Sequence, residues 1–318
     1  MSLERAKSGA VPMDNLTEHH LDIGLGEGLH YWTLGNRSAK RGVLVMQHGM
    51  RDVGRSLLPV AQALSDEFYC VMPDLRGHGK SVKPGSYAIQ HFLMDLRRLH
   101  HELEASTIHL LGHSLGGHIC CRYAGLYPQQ VDSLIVIEGL GPPPYEARSL
   151  NPVEHIATAL DRAILTADRA THPRVLPDLA EASARLLANN PQMKSPRADQ
   201  LAAWGTEGAP GGEGLVWAFD PRGQEVFLGV SEARNFDYWR AVKARTLVIT
   251  GSLGHQYWQS MMDAEDYSGR FSKKQLNERL IALGSDQPAE HREINGAGHQ
   301  VHYDRPEELA ECVQSFLL

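Results

Sequence analysis

The amino-acid sequence predicts an α/β protein whose central sheet is mostly parallel and flanked by helices. Short, nearly continuous apolar runs recur in the first half of the chain, at residues 42–47, 67–72, 107–112 and 133–138. Such runs are typical of strands covered on both faces. Between them, apolar residues recur at spacings of three or four, as on one face of a helix. This alternation of strands and helices favours a doubly wound sheet.

These apolar faces predict the helices that flank the sheet, both in the first half of the chain and near its C-terminus. The faces in the first half consist of Leu57, Val60, Ala61 and Leu64, and of Phe92, Leu96, Leu99 and Leu103. Near the C-terminus, Pro306 suits a first helical turn, and one side of the helix that follows is apolar. This helix is expected to close one flank of the sheet.

The strand pattern stops after residue 138. Residues 139–244 contain several helical stretches and little that reads as a central strand. The apolar run 245–251 then resumes the core, and helical and strand patterns follow it. We therefore expect a core formed by residues 1–138 and 245–318, with residues 139–244 inserted as a mainly helical cap.

Composition limits the classes of partner. The chain has 318 residues, of which 42% are hydrophobic, enough for one large core or a core plus a smaller insertion. Its formal net charge is −7 and its basic residues are scattered, which argues against nucleic acid or an anionic membrane as partner. A small-molecule substrate is the expected partner. Monomer and homodimer both stay open.

The sequence also predicts a cellular location. The N-terminal stretch lacks the apolar run of a signal peptide, and no segment is long enough to span a bilayer. The four cysteines have no CxxC spacing and lie among apolar residues, as buried free thiols do in a reducing compartment. We expect a cytoplasmic protein without membrane insertion.

A serine lies where one predicted strand turns into a helix. Residues 112–116 read Gly-His-Ser-Leu-Gly, which fits the G-x-S-x-G turn that presents a serine hydroxyl above a sheet. Glycines two before and two after Ser114 suit a turn in which strand and helix come close together. This predicts a nucleophile at Ser114. The alternative is an ordinary helix N-cap.

Two further loops supply partners for a serine nucleophile. After the first apolar strand, the His48-Gly49 pair allows the N–H of Met50 to join that of Leu115 as donors to an oxyanion. A simple strand-ending turn is the alternative. Near the C-terminus, His299 lies in a loop between the last strand candidate and the final helix, where a general base is expected.

The choice of base is not unique in the sequence. His302 is the rival of His299, although the neighbouring Gly298 favours His299 because it suits a tight loop. The two histidines form an H-x-x-H pair, yet no further ligand pattern completes a metal site. We therefore expect no metal and no cofactor.

Several of these stretches together resemble the α/β-hydrolase family, in particular its esterase, epoxide hydrolase and dehalogenase-like members with a cap. The resemblance covers about residues 30–140 and 240–318 and rests on the segments 47–64, 71–81, 110–144, 245–251 and 296–317. It implies an α/β-hydrolase fold. A serine at the elbow implies an acyl-serine route and argues against dehalogenase or epoxide hydrolase chemistry, which uses an aspartate in that family.

A serine nucleophile and its histidine base form a triad with an acid in this family. The position of the acid in this chain departs from the commonest family pattern. Many relatives carry an aspartate after the strand that follows the cap, where this chain has Gly254. Glu138, at the end of the strand before the cap, is the expected acid, because a carboxylate ending an apolar strand needs a partner such as a histidine. A purely structural role for Glu138 is one alternative. Asp263 and Asp266 are the others.

The expected function follows from these residues. It is the hydrolysis of a carboxylic ester of a small, apolar substrate through an acyl-enzyme on Ser114. A lactonase, thioesterase, amidase or carbon-carbon bond hydrolase would use nearly the same triad, and a non-catalytic ligand-binding protein is a further alternative. The residues expected to line the substrate pocket are His48, Gly49, His113, Tyr145, Trp217 and Trp258.

Overall fold

The computed structural model describes residues 15–144, 152–228, 230–262, 266–284 and 287–318. The strands found there are β1 (Thr17–Leu25), β2 (Glu27–Leu34), β3 (Val43–Gln47), β4 (Tyr69–Pro73), β5 (Ile108–His113), β6 (Val131–Ile137), β7 (Thr206–Gly208), β8 (Leu215–Trp217), β9 (Arg245–Gly251) and β10 (Glu290–Ile294). The α-helices are α1 (Leu58–Leu64), α2 (Ile89–Glu102), α3 (Leu115–Leu126), α4 (Pro152–Thr171), α5 (Leu179–Asn189), α6 (Ser195–Gly205), α7 (Glu232–Arg240), α8 (His255–Met262), α9 (Lys273–Ala282), α10 (Val301–Asp304) and α11 (Pro306–Leu317). Two 3-10 helices span Gly54–Leu57 and Pro221–Phe227.

The central sheet has eight strands in the order β1-β2-β4-β3-β5-β6-β9-β10. Strand β2 pairs antiparallel with both of its neighbours, and the pairs from β4 to β10 are parallel. The predicted α/β fold with a mostly parallel, helix-flanked sheet is therefore confirmed. Strands β1 and β2 contain no continuous apolar run, because polar residues and histidines interrupt their sequences.

Side chains alternate between the two faces of the sheet, and helices cover both. In β3, Val45 joins the core beneath α2, α3, α7 and α9, whereas Leu44 and Met46 join the core beneath α1 and α11. All five residues of β3 are buried. Coverage on both faces explains why these strands read as continuous apolar runs.

The inserted region is mainly helical in its described part. Helices α5 and α6 pack together, and a short antiparallel hairpin of β7 and β8 follows them. Helix α7 packs differently, because Trp239 is 1% exposed within the core cluster and the helix contacts α3 and α9. Packing thus joins α7 to the core, although it falls inside the expected cap range of 139–244. That range stays a prediction.

None of the described helices is both long and apolar enough to cross a bilayer. The four cysteines are free thiols, and three of them are buried. The cytoplasmic location stays a prediction of the sequence.

Candidate active site

Ser114 sits in a sharp turn between β5 and α3. Its backbone has φ 50° and ψ −112°, a conformation that residues with a β-carbon rarely adopt. The N–H of Ser114 donates to the carbonyl of Ile137 at the end of β6, 2.9 Å away. The neighbouring strand therefore fixes the turn and holds the hydroxyl at the carboxyl edge of the sheet.

The two glycines of the motif are required by close backbone contacts. A β-carbon at Gly112 would lie 2.4 Å from the carbonyl oxygen of Gly116. A β-carbon at Gly116 would lie 2.2 Å from the carbonyl oxygen of Gln47, at the end of β3. Only glycine allows the elbow and the loop after β3 to approach this closely.

His299 connects the serine to a carboxylate. Its Nε2 lies 3.0 Å from the Oγ of Ser114, and its Nδ1 lies 3.0 Å from the Oε2 of Glu138. In a neutral imidazole, Nδ1–H donates to Glu138 and Nε2 accepts the serine proton. The three side chains thus form one hydrogen-bonded relay, from residues in three different loops at the carboxyl edge of the sheet.

The position of Glu138 explains the missing aspartate at residue 254. Glu138 follows β6 directly, with φ 49°, and its Oε1 accepts the N–H of Gly251 at 2.8 Å. A β-carbon at Gly254 would lie 2.5 Å from that same oxygen. Of the two alternative acids, Asp266 is exposed after α8, and Asp263 lies outside the described residues.

Two aromatic rings of α8 surround the histidine. Tyr257 stacks on His299 with ring centroids 4.1 Å apart and an interplanar angle of 6°. Trp258 meets the same ring edge-on, with centroids 5.3 Å apart. These contacts fix the plane of the imidazole and shield it from water. Trp258, expected from the sequence to line the pocket, therefore lies at the relay.

The loop after β3 brings a second backbone donor to this edge. Within the described chain, no hydrogen bond of the N–H groups of Met50 and Leu115 to a protein acceptor is found. The loop packs tightly on the elbow, since a β-carbon at Gly49 would lie 2.5 Å from the Nδ1 of His113. Gly49 thus serves close packing, and both N–H groups are available to a ligand.

Two expected pocket residues have a different role. The side chains of His48 and His113 are fully buried. His48 accepts the N–H of Leu75 at Nε2 and donates from Nδ1 to the carbonyl of Gly49. His113 donates from Nε2 to the carbonyl of His299, 2.9 Å away. Both rings are buried and hold the loops of the site, and their contact with substrate stays a prediction.

The remaining expected pocket residues lie in the inserted region. Trp217 packs beside a small cluster formed by Leu176, Ala182 and Ala202. Tyr145 lies outside the described residues. Contact of either ring with substrate stays a prediction.

A buried network around Asp52 was not identified from the sequence. Asp52 accepts hydrogen bonds from the hydroxyls of Ser56 and Tyr303, both at 2.7 Å, and lies 2.9 Å from the Nε2 of His302. His302, the alternative base, is thus engaged away from Ser114. An acidic residue two positions after Met50 was the available signal, but its partners His302 and Tyr303 lie some 250 residues further along the chain.

Asp52, His113 and His302 are also the described residues that could share a metal ion, with ligand atoms within 4.8 Å of one another. Both carboxylate oxygens of Asp52 are already used by donors within the protein. The expectation that no metal or cofactor takes part stays a prediction.

The comparisons agree with this fold. A family model described as alpha/beta hydrolase fold matches residues 42–306, so the chain belongs to this family of hydrolases. The human protein named Serine hydrolase-like protein 2 is 26% identical over 283 residues, which cover 85% of each chain.

Solved structures show the same fold. A thioesterase domain from the curacin biosynthetic pathway superposes with a TM-score of 0.75 at 22% identity, covering 94% of this chain and 99% of that one. E-2-(acetamidomethylene)succinate hydrolase superposes with a TM-score of 0.70 at 21% identity, covering 95% of this chain and 99% of the other. At these identities the similarity concerns the fold alone.

Proposed function

We propose that this protein is a serine hydrolase that cleaves carboxylic esters through an acyl-enzyme on Ser114. The observation that carries the proposal is the relay from Ser114 through His299 to Glu138, with 3.0 Å at each of its two steps. A nucleophile bonded to a base, and a base oriented by a third group, is the arrangement that activates a hydroxyl. The family, whose relatives carry hydrolase names, supports the same reaction class.

The first half of the reaction forms the acyl-enzyme. His299 takes the proton of the Ser114 hydroxyl at Nε2 while Oγ attacks the ester carbonyl carbon. Glu138 stabilises the resulting imidazolium through Nδ1–H. Negative charge develops on the carbonyl oxygen, where the N–H groups of Met50 and Leu115 stabilise it, aided by the N-terminus of α3.

The tetrahedral intermediate then collapses. The carbon-oxygen bond to the alcohol breaks, and His299 returns the proton to the departing alkoxide. A water molecule next gives a proton to His299 and attacks the acyl carbon. The bond between that carbon and Oγ then breaks, and His299 returns the proton to Oγ, which releases the acid and restores the Ser114 hydroxyl. Proton and electron pairs balance over the two halves without a cofactor.

Aromatic residues beside the relay indicate the kind of substrate. Tyr257 and Trp258 present their rings at His299, and Phe219 of the inserted region lies close to the loop after β3. Rings placed around a few polar groups are typical of pockets for small molecules with an apolar part. We propose that the inserted region selects such a substrate and limits the access of water.

The alternatives differ in the bond that is cleaved or in the absence of catalysis. Lactones, thioesters, amides and carbon-carbon bonds next to a carbonyl are all accessible to the same relay, and the geometry favours none of them specifically. The non-catalytic alternative depended on the missing acid at Gly254. The carboxylate of Glu138 fills that role in the geometry, which favours an enzyme.

The test is the hydrolysis of p-nitrophenyl esters from acetate to decanoate by the wild type and by the Ser114→Ala, His299→Ala and Glu138→Ala variants. We expect kcat to fall by about 10³-fold or more in each variant. Glu104→Ala is the matched control, because Glu104 is a surface glutamate that also has a positive φ of 53°. A wild type that neither turns over these esters nor reacts with a fluorophosphonate would contradict the proposal.

A further inference from the structure

Arg51 adopts a strained backbone conformation next to the site. Four described residues other than glycine have a positive φ: Arg51 at 62°, Glu104 at 53°, Ser114 at 50° and Glu138 at 49°. Two of them belong to the relay, and Glu104 lies on the surface. Since such strain concentrates at functional positions, Arg51 calls for an explanation beyond chain reversal.

The backbone of Arg51 is held by a buried histidine. Its N–H donates to the Nε2 of His78, 3.0 Å away. Burial lowers the pKa of His78 to about 3, so the ring is neutral near pH 7 and can accept this hydrogen bond. The Nδ1 of His78 lies 3.0 Å from the carbonyl of Arg76. The ring proton is therefore on Nδ1, and Nε2 is free to accept the N–H of Arg51. The position from which the Arg51 side chain leaves the loop is therefore fixed.

The Arg51 side chain is exposed, and its charge has no acidic partner among the described residues. Among the ion pairs of the described ranges, none involves Arg51. Its guanidinium carbon lies 5.9 Å from the centre of the Phe219 ring, which provides an apolar surface beside the charge. In a chain with a net charge of −7, an arginine that forms no ion pair with the described residues is an attractive site for an anion.

The electrostatic influence of Arg51 extends to Tyr257. Burial raises the pKa of Tyr257, and the positive charge of Arg51 acts on the same phenol in the opposite direction. Tyr257 is the residue stacked on His299. Arg51 also directly follows Met50, whose N–H is a proposed donor to the oxyanion, so its backbone lies beside the relay.

We propose that Arg51 binds a carboxylate on the acyl part of the substrate, so that the preferred ester is a half-ester of a short dicarboxylic acid. This inference rests on the proposed ester hydrolysis. The leaving alcohol must face Nε2 of His299 to receive its proton, which leaves the loop of Met50 and Arg51 to the acyl part. Since Arg51 directly follows Met50, we expect a short acyl chain between the scissile carbonyl and the second carboxylate.

Arginine suits this task because its planar guanidinium can donate two parallel hydrogen bonds to one carboxylate. The aromatic surfaces of Phe219 and Tyr257 then contact the methylene groups between the two carbonyl carbons. The substrate class is thus apolar along its chain and anionic at one end.

The test compares mono-p-nitrophenyl glutarate with p-nitrophenyl valerate, which has the same chain length without the second carboxylate. We expect the wild type to prefer the glutarate, and Arg51→Gln to lower the ratio of the two kcat/KM values at least about tenfold. Arg51→Lys keeps the charge and should retain part of the ratio. Every replacement keeps a β-carbon at the strained position, so backbone strain is matched.

Two controls isolate the effect of position. Arg240→Gln removes the same charge from the surface of α7, where Arg240 is 65% exposed, and should leave the ratio unchanged. The ratio should also fall with rising salt in the wild type. If 4-carboxyphenyl valerate, with its carboxylate on the leaving group, were the ester whose turnover depends on Arg51, the acyl assignment would be overturned.

A binding measurement separates this inference from the proposed function. Calorimetry with monomethyl glutarate compares Ser114→Ala with Ser114→Ala/Arg51→Gln, and neither protein can form an acyl-enzyme. We expect affinity to fall at least about tenfold without the arginine. A wild type inert towards all esters would contradict ester hydrolysis, and the calorimetric comparison would still decide the role of Arg51. Equal affinities in the two proteins would refute it.

Discussion

The carboxylate of Glu138 occupies the space that a side chain at Gly254 would need. A β-carbon at residue 254 would lie 2.5 Å from the Oε1 of Glu138. This distance is too short for any residue except glycine unless the carboxylate moves. The acid after β6 and the absence of a side chain before α8 are therefore one feature of the site. A relative with an aspartate at the position of Gly254 has no need of an acid at the position of Glu138.

Gly254→Ala should consequently impair the relay while leaving the fold intact. The added methyl group displaces the carboxylate from the Nδ1 of His299, so we expect kcat on a p-nitrophenyl ester to fall about 10- to 100-fold. Gly208→Ala is the control, because a β-carbon there meets nothing within 4 Å. Full activity of Gly254→Ala would show that the Glu138 carboxylate does not need its present position.

Ser114→Gly should be more stable than Ser114→Ala. Glycine tolerates the φ of 50° that alanine resists, and the expected difference in the free energy of unfolding is about 1 kcal/mol. Urea unfolding of the two inactive variants measures it. At Ser65, where φ is −68°, the alanine variant should be more stable than the glycine variant. If the glycine variant were the more stable at both positions, strain at Ser114 would not be the cause.

Buried neutral histidines should make the protein labile to acid. Burial lowers the pKa of both His78 and His118 to about 3 from 6.5. Since the unfolded chain then binds the extra proton, their contribution to stability is complete above about pH 6.5 and is lost as the pH falls towards 3. His118→Leu should therefore lose about 2 kcal/mol less stability than the wild type between pH 7.5 and 5.

Chemical denaturation at the two pH values tests this expectation. His101→Leu replaces an exposed histidine on α2 and serves as the control, with the pH dependence of the wild type. An unchanged pH dependence in His118→Leu would mean that this ring is protonated equally easily in the folded and unfolded chains.

Asp52→Asn should destabilise the protein strongly. Burial alone would raise the pKa of Asp52, but the hydrogen bond and charge of His302 hold it below its usual range. An amide cannot accept all the hydrogen bonds from Val53, Ser56, Tyr303 and His302, so we expect a loss of about 3 kcal/mol. Asp132→Asn, at an exposed carboxylate, is the control for the same urea measurement, and similar losses in the two would refute the importance of the buried network.

The sequence predicts most of the sheet and the chemical groups of the relay, because both depend on local patterns. Strands buried on both faces read as apolar runs, and a serine between two glycines marks a turn between strand and helix. Glu138 could be proposed because a charged residue at the end of an apolar strand needs a partner. These inferences require only a few neighbouring residues.

Other features depend on contacts between distant parts of the chain. The packing of Trp239 into the core and the stacking of Tyr257 on His299 leave no local pattern, since an aromatic residue of the inserted region can pack within a cap or into the core. The burial of His48 and His113 likewise became visible only in the folded chain. Positions in the chain could suggest which residues meet, but not which of them face the substrate.

The long separation between Asp52 and His302 also bears on synthesis of the protein. Their contact joins positions 250 residues apart. The proposed base, His299, lies only three residues before His302. In the proposed mechanism, a growing chain that has not yet reached residue 299 has the serine but lacks its base. Hydrolysis would therefore require the C-terminal segment to be synthesised and docked on the core.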